Sequence, residues 1–371
     1  YIVGAILRAL GHQTGVFGTI EHTIGNRRIE SINTTPESCD LYEYLEGLTA
    51  AALEVSSHAL ALGRVWGMHF HAAIWTNLTR DHLDFHGDME RYFAAKCELF
   101  RGQDAAPPKV AAINADDSYG TKLPIAKETM AWTYALEGKA DVRAEKVRAS
   151  FDGLRFDAAT PAGRFPVESA MLGRVNIYNI LAAITATLAA GAPVEAIQAG
   201  VKACDSVPGR FERVDAGQPF LVVVDYAHTD DALRNLIRAA RALQPRRVIT
   251  LFGCGGDRDR AKRPLMAAAA AEASDYVVLT SDNPRTEDPL GIINDALVGL
   301  RRYDTPHSIE LDRSKAIAKA IAQAEAGDIV LLAGKGHETY QVIGKVKQPF
   351  DDRQVAREEL ARVGYKAKAS L

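Results

Sequence analysis

The sequence predicts an α/β protein of two domains, spanning residues 1–208 and 209–371. Three observations carry the prediction. Strand-like apolar runs alternate with helical runs, the pattern of a parallel sheet with crossover helices. After residue 220 the alternation becomes regular: four apolar runs are each followed at once by a polar motif, the order of a doubly wound sheet. Between the halves stands Val207-Pro208-Gly209, a breaker sequence suited to a domain boundary.

The elements follow in order. Residues 1–10 place apolar side chains at helical spacing and stop at Gly11, a C-cap. No capping residue precedes them, so the run reads as the tail of a longer helix and the chain as a piece of something longer. Strands are expected at 14–19, 51–55, 72–78, 109–114 and 129–134, with a helix at 89–100. Residues 142–173 are short alternating segments with turns at Asp152-Gly153 and Pro161-Ala162-Gly163. They predict a small antiparallel subsheet beside a mostly parallel one. A long buried helix is expected at 175–190. In the second half, strands at 220–224, 248–252, 276–280 and 328–333 precede or follow helices at 231–243, 264–273, 290–300 and 314–324.

Composition excludes several classes. Lys and Arg number 44 against 47 Asp and Glu, a net charge of −3 that argues against nucleic acid or an anionic membrane as the main partner. A hydrophobic fraction of 47% excludes disorder. The nearest approach to a bilayer-spanning run, 177–192, is broken by Asn179, Thr185 and Thr187. Cys39, Cys97, Cys204 and Cys254 lie far apart, giving neither a zinc pattern nor a disulfide framework, so a reduced, cytoplasmic setting is expected.

The polar motifs carry the chemistry. TNLTRDHLDFH (76–86) follows a strand and concentrates Asp81, His82, Asp84 and His86, a carboxylate and imidazole set able to hold a divalent metal. Glu54 ends another apolar strand, where a carboxylate can ligate Mg²⁺ or simply face water. Nothing in the spacing marks Lys96, whose default reading is a helix-surface lysine. In open parallel sheets ligands bind beyond the carboxyl ends of the strands, which gathers DYAH, GCGGDRDR, SDNPR and GKGHE on one edge. Asp282, Asn283 and Arg285 suit a zwitterion: carboxylates for an ammonium, a guanidinium for a carboxylate. These features suggest a nucleotide and Mg²⁺, yet no G-x-x-x-x-G-K-[ST] occurs.

Taken together, NTTP (33–36), EVSSHAL (54–60), WTNLTRDHLDFHG (75–87), YFAAK (92–96), VNIYNILAA (175–183), GRFE (209–212), DYAHT (225–229), GCGGDRDRAKRPLM (253–266), DNPR (282–285) and GKGHETYQ (334–341) closely resemble the Mur ligases, in particular their diaminopimelate-adding branch. The resemblance runs from the first residues to about residue 362. It implies a central ATPase domain followed by a Rossmann-like carboxyl-terminal domain. It also implies that a uridine-binding domain and the phosphate loop precede residue 1, so these residues alone are expected to be inactive. The implied reaction joins meso-diaminopimelate to the D-glutamate side-chain carboxylate of UDP-N-acetylmuramoyl-L-alanyl-D-glutamate. It consumes ATP and passes through an acyl phosphate, with two Mg²⁺, in a cytoplasmic monomer making peptidoglycan.

By the same resemblance Lys96 is similar to a lysine that becomes N6-carboxylated and, with His82, ligates one Mg²⁺, while Glu54 matches the ligand of the other. Asn33, Thr34, Thr35, Ser56 and Arg64 match the muramoyl-dipeptide site. Asn179, Arg210, Tyr226 and His228 match ATP contacts. Arg258, Asp282, Asn283, Pro284, Arg285, Gly334 and Glu338 match the diaminopimelate pocket. Three departures stand out: Leu62 replaces a common Gln, Asp230 replaces the Pro of DYAHTP, and residues 45–53 are about ten residues short, a typical helix's length. The last is expected to disturb the strand presenting Glu54. Alternatives are another Mur ligase or a folylpolyglutamate synthase, a hydrolase built on the 81–86 cluster, and a non-catalytic diaminopimelate-binding fragment.

Overall fold

The computed structural model describes residues 1–103 and 105–365; Asp104 and 366–371, with them the end of the predicted 209–371 domain, lie outside the described residues. The chain divides into two compact units. The first comprises Tyr1–Ala149, Gly153–Ala170 and Val175–Asp205, the second Ser150–Asp152, Met171–Arg174 and the chain from Ser206. The two short segments join the second unit because Leu172 and Phe151 pack into its core.

In the first unit the elements are α1 (Ile2–Ala9), β1 (Thr14–Phe17), β2 (Glu21–Ile24), β3 (Arg27–Glu30), α2 (Ser38–Leu45), β4 (Ala50–Leu53), α3 (Ser57–Ala61), β5 (Ala72–Trp75), α4 (Leu83–His86), α5 (Met89–Arg101), β6 (Val110–Asn114), β7 (Met130–Ala135), β8 (Val142–Ser150), β9 (Gly153–Thr160), β10 (Gly163–Ser169), α6 (Arg174–Ala189) and α7 (Val194–Ala203). One sheet runs β3-β2-β1-β4, with β1 antiparallel to β2 and parallel to β4. A second runs β10-β9-β8-β7-β6-β5, parallel from β5 to β8 and antiparallel at β9–β10. The β9–β10 pair is the predicted antiparallel subsheet; the β1–β2–β3 meander is not. The strand expected at 14–19 stops at Phe17, and the chain reverses at Gly18, where a Cβ would stand 2.6 Å from the Glu54 carboxylate.

The short 45–53 connection is accommodated. The chain turns at Gly47 with φ +75° and enters β4 in full register with β1, from Thr14↔Ala50 to Phe17↔Leu53. α6 is buried on nearly all sides, and Thr185 and Thr187 satisfy their hydroxyls by donating to the carbonyls four residues back.

The second unit comprises β11 (Glu212–Val214), β12 (Leu221–Asp225), α8 (Asp230–Arg241), β13 (Val248–Cys254), α9 (Lys262–Ala273), β14 (Tyr276–Ser281), α10 (Pro289–Leu300), β15 (His307–Glu310), α11 (Arg313–Gln323), β16 (Ile329–Ala333), β17 (Tyr340–Ile343), β18 (Val346–Pro349) and α12 (Asp352–Arg362). Its sheet order is β11-β12-β16-β13-β14-β15, parallel except for the edge strand β11. Alternate residues point to opposite faces: Leu221, Val223, Ile329 and Leu331 enter a core with α8, α9 and α10, whereas Val222, Val224, Val330 and Leu332 enter one with α11 and α12. Both faces are therefore covered, which is why these strands read as unbroken apolar runs. Thr229, Asp288, Asp312 and Asp351 cap α8, α10, α11 and α12 through their side chains. Among the described residues no helix is long and apolar enough to cross a membrane.

Candidate functional site

At the carboxyl edge of the second unit's sheet, β12, β16, β13 and β14 are neighbours, so the four polar loops leave side by side. The loop after β14 bends at Arg285, which holds φ +51°. It is pinned there by backbone hydrogen bonds: Arg285 N–H donates to Val342 O at 3.0 Å, and Gly344 N–H donates to Arg285 O at 2.7 Å. Arg285 Nη1 donates to Gly256 O at 2.8 Å, which ties this loop to the one after β13. Gly256 permits that approach, since a Cβ there would lie 1.9 Å from Pro284 O.

Asp282 and Asn283 are almost fully buried. Asn283 Nδ2 donates to Glu338 Oε2 at 3.1 Å, joining the loops after β14 and β16. Gly334, at φ +115°, lets the Asp282 carboxylate approach to 2.8 Å of where its Cβ would be. Arg258 is exposed and donates to Asp257 O. Among the described residues neither Arg258 nor Arg285 takes part in an ion pair, so both guanidiniums can receive a carboxylate. Asp282, Asn283, Pro284, Arg285, Gly334 and Glu338 thus form one cluster, with Arg258 at its rim.

Two buried arginines brace it. Arg263 donates to Glu287, Asp295 and Gly255 O, fixing the loop after β13. Arg313 pairs with Asp352 at 2.6 Å with both side chains inaccessible, and also donates to Ser281 O and Ala333 O, the last residues of β14 and β16.

At the end of β12, Arg210, Tyr226 and His228 converge. The Arg210 guanidinium lies 5.3 Å from the centre of the Tyr226 ring, and the His228 ring 4.6 Å from it. The His337 ring is 5.2 Å away on another side. Burial lowers the proton affinity of His337, and Arg210 acts in the same direction. Asn179 belongs to the first unit, on α6, where its side chain donates to Asn176.

In the first unit, Glu54 directly follows β4 and accepts from Thr19 N–H and, at 2.8 Å, from Thr19 Oγ1, whose oxygen lies 3.1 Å from Thr34 Oγ1. Thr35 is fully buried; it donates to Glu54 O at 2.8 Å and accepts from Ser56 N–H at 3.1 Å. Ser56 in turn caps α3 by accepting from Ala59 N–H. Arg64 donates to Thr35 O and pairs with Glu37 at 2.8 Å. The 33–36 loop is therefore sewn to the strand bearing Glu54, with Ser31 Oγ donating to Asn33 O. Leu62 ends α3 with its side chain exposed, and Asp230 pairs with Arg234 one turn on in α8.

His82 sits before α4 with φ +53°, half-exposed, its Nδ1 3.5 Å from Asp81. Its ring meets those of His58 and Tyr92 edge-on. Lys96, one turn after Tyr92 on α5, lies 5.3 Å from that ring's centre, with no carboxylate at ion-pair distance among the described residues. Burial lowers its proton affinity, and Asp81 opposes this. His86 is spent elsewhere: it is buried, hydrogen-bonds Ser57 Oγ at 2.9 Å and stacks on Tyr92. The four-residue metal set suggested by 81–86 is thus not formed; among the described residues no three His, Cys, Asp or Glu side chains gather as a metal cluster. Lys335, within the 334–341 motif, is fully buried, whereas an isolated lysine in a sequence reads as solvated.

Comparison with known proteins agrees with this architecture. Residues 1–187 match the Mur ligase middle domain and residues 209–336 the Mur ligase glutamate ligase domain. The chain is 58% identical over 370 residues to the UDP-N-acetylmuramoyl-L-alanyl-D-glutamate--2,6-diaminopimelate ligase of Solibacter usitatus, covering 98% of this chain and 75% of that one. It is 46% identical over 365 residues to the enzyme of the same name from Geobacillus kaustophilus, covering 96% and 75%. A solved structure of a ligase of that name superposes with a TM-score of 0.75 at 36% identity, covering 98% of this chain and 76% of that one.

Proposed function

The chain belongs to the Mur ligase family, and from that premise we propose that it is an ATP-dependent ligase joining meso-diaminopimelate to the D-glutamate side-chain carboxylate of UDP-N-acetylmuramoyl-L-alanyl-D-glutamate in peptidoglycan synthesis. One observation carries the substrate choice: Arg285 shares a loop with the buried Asp282 and Asn283, the latter bonded to Glu338, and its guanidinium is held by Gly256 O with no acid partner among the described residues. That set complements a carbon bearing both an ammonium and a carboxylate, such as the distal end of diaminopimelate. Lysine lacks the distal carboxylate and would leave the guanidinium unpaired, a penalty of about 1–3 kcal/mol.

We assign domains at 1–208 and 209–371. Asn33, Thr34, Thr35, Ser56 and Arg64 serve the muramoyl dipeptide, with Thr35 acting through the backbone it holds. Asn179, Arg210, Tyr226 and His228 serve ATP, the Tyr226 and His228 rings offering stacking surface and Arg210 a positive charge. The γ-phosphoryl group passes to the glutamyl carboxylate; the diaminopimelate amine then attacks the acyl carbon, loses its proton, and phosphate leaves.

Two Mg²⁺ are accommodated in this reading: Glu54 retains acceptor capacity beyond its bonds to Thr19, and His82 and Lys96 both lie against the Tyr92 ring, the lowered proton affinity of Lys96 favouring the neutral amine that combines with CO₂ to give a carbamate and a proton. The ions, when bound, neutralise charge on the transferring phosphoryl group. Cytoplasmic location and a monomeric state complete the reading.

Calorimetry with the 371-residue chain tests it. The expected result is diaminopimelate binding at least ~10-fold tighter than lysine, lost by ~100-fold in Arg285→Ala. Equal binding of the two amino acids would overturn the substrate assignment.

A further inference from the structure

Lys335, in the loop after β16, has no accessible surface. Its Nζ donates to Asn283 Oδ1 at 3.1 Å and to Glu338 Oε2 at 3.1 Å, and lies 3.5 Å from Asp282 Oδ1. All three partners belong to the cluster assigned to diaminopimelate. The Tyr340 ring closes over the ammonium with its centre 5.9 Å away. Burying an ammonium is costly, and an apolar side chain of similar length would fill the space without that cost. What the lysine supplies is therefore charge. Asp282 and Glu338 place two carboxylates in the pocket; Lys335 and Arg285 place two cations, and Arg258 adds a third at its exposed rim.

We propose that Lys335 is a specificity-determining positioning residue, whose buried ammonium holds the Asp282 and Glu338 carboxylates in place and offsets their negative charge, so that the pocket takes a zwitterionic amino-acid end in preference to a purely cationic one. The inference rests on the reading that this cluster holds diaminopimelate, and goes beyond it. Arg285 rewards the distal carboxylate. Lys335 removes the excess negative field that would otherwise attract a lysine ammonium just as well. Because it acts at a distance of a few ångströms inside a dry pocket, its loss changes ligand ranking and not merely occupancy.

The test is calorimetry of meso-diaminopimelate and L-lysine against the 371-residue chain, unsubstituted and as Lys335→Met, with circular dichroism to report folding. In Lys335→Met the ratio of diaminopimelate to lysine affinity is expected to fall by about tenfold or more, with lysine binding held or improved. A ratio unchanged from the unsubstituted chain, with both affinities lowered alike, makes Lys335 a mere structural prop and overturns the proposal. Should Lys335→Met not fold, Glu338→Gln and Lys335→Met/Glu338→Gln carry the question. Glu338→Gln leaves the pocket positive and is expected to widen the ratio several-fold; adding Lys335→Met should return it, and no return overturns the proposal. A ratio near one in the unsubstituted chain is a different failure: it removes the diaminopimelate reading itself, and this inference with it.

Discussion

Each unit places a lysine beside its candidate site, and the two are treated in opposite ways. Lys335 is sealed in and bonded to Asn283 and Glu338 with Asp282 beside it. Lys96 is half-buried beside the Tyr92 ring, with no carboxylate at ion-pair distance among the described residues. Sealing a lysine among acids makes it part of a scaffold. Leaving one in a partly dry place without an acid lowers its proton affinity and keeps its amine reactive. The second unit's cluster is thus organised by the protein's own charges, whereas His82 in the first unit meets its neighbours through ring edges and a single imidazole–carboxylate contact.

The contrast is most sharply tested at Lys96. In a chain completed to the relatives' length with the segment of the Solibacter protein it does not match, Lys96→Ala is expected to lower ligation by at least ~10³-fold, measured as phosphate release, with diaminopimelate binding unchanged. The unsubstituted chain should lose activity as pH falls, because the amine protonates, and regain part of it with added bicarbonate; Lys96→Ala should not respond. Retained activity in that variant would remove Lys96 from the mechanism.

The next effect belongs to the scaffold. Arg313 and Asp352 are both inaccessible, and Arg313 also holds the carbonyls ending β14 and β16. Arg313→Met leaves Asp352 buried and unpaired, an expected loss of about 3–5 kcal/mol from the second unit's unfolding, read by urea titration. Arg313→Met/Asp352→Leu should recover most of it. Equal losses in both variants would show that the arginine's contacts to Ser281 and Ala333, not the charge pair, carry the stability.

These residues also mark how much was legible in the sequence. The strands β12, β13, β14 and β16 are mostly apolar and are followed by polar motifs, so both the sheet and its candidate functional edge could be read. The β17–β18 hairpin could not: its residues are exposed or half-exposed, and apolar content does not betray it. β15 is a short edge strand with charged and polar members. The β2–β3 meander follows a strand whose sequence pattern continues through Gly18, because the closeness of Glu54, 36 positions on, is a tertiary fact. Asp282, Asn283 and Arg285 were visible as a set suited to a zwitterion, whereas Glu338 received its role from resemblance. Lys96 and His82 received their roles from resemblance, since a lysine's burial depends on what α5 packs against. The buried roles of Lys335 and Arg313 were invisible for the same reason. His86 looked like a ligand and is instead a core histidine, because its partner Ser57 lies on another helix.

The smallest expected effect is on acid stability, and it divides the two units again. Burial lowers the proton affinity of His22, His58 and His86 in the first unit and of His337 in the second. A group whose affinity is lowered on folding binds more protons in the unfolded chain, so stability rises with pH across the interval between its native value and the ordinary ~6.5. The contribution is complete above that value and is lost as pH falls below it. Acidification from about pH 7.5 to 5.5 should therefore lower the first unit's melting transition by roughly 2–5 °C and the second's by less. Differential scanning calorimetry at the two pH values measures this. Equal shifts, or a larger one in the second unit, would mean that the first unit's imidazoles are not the dry groups their packing indicates.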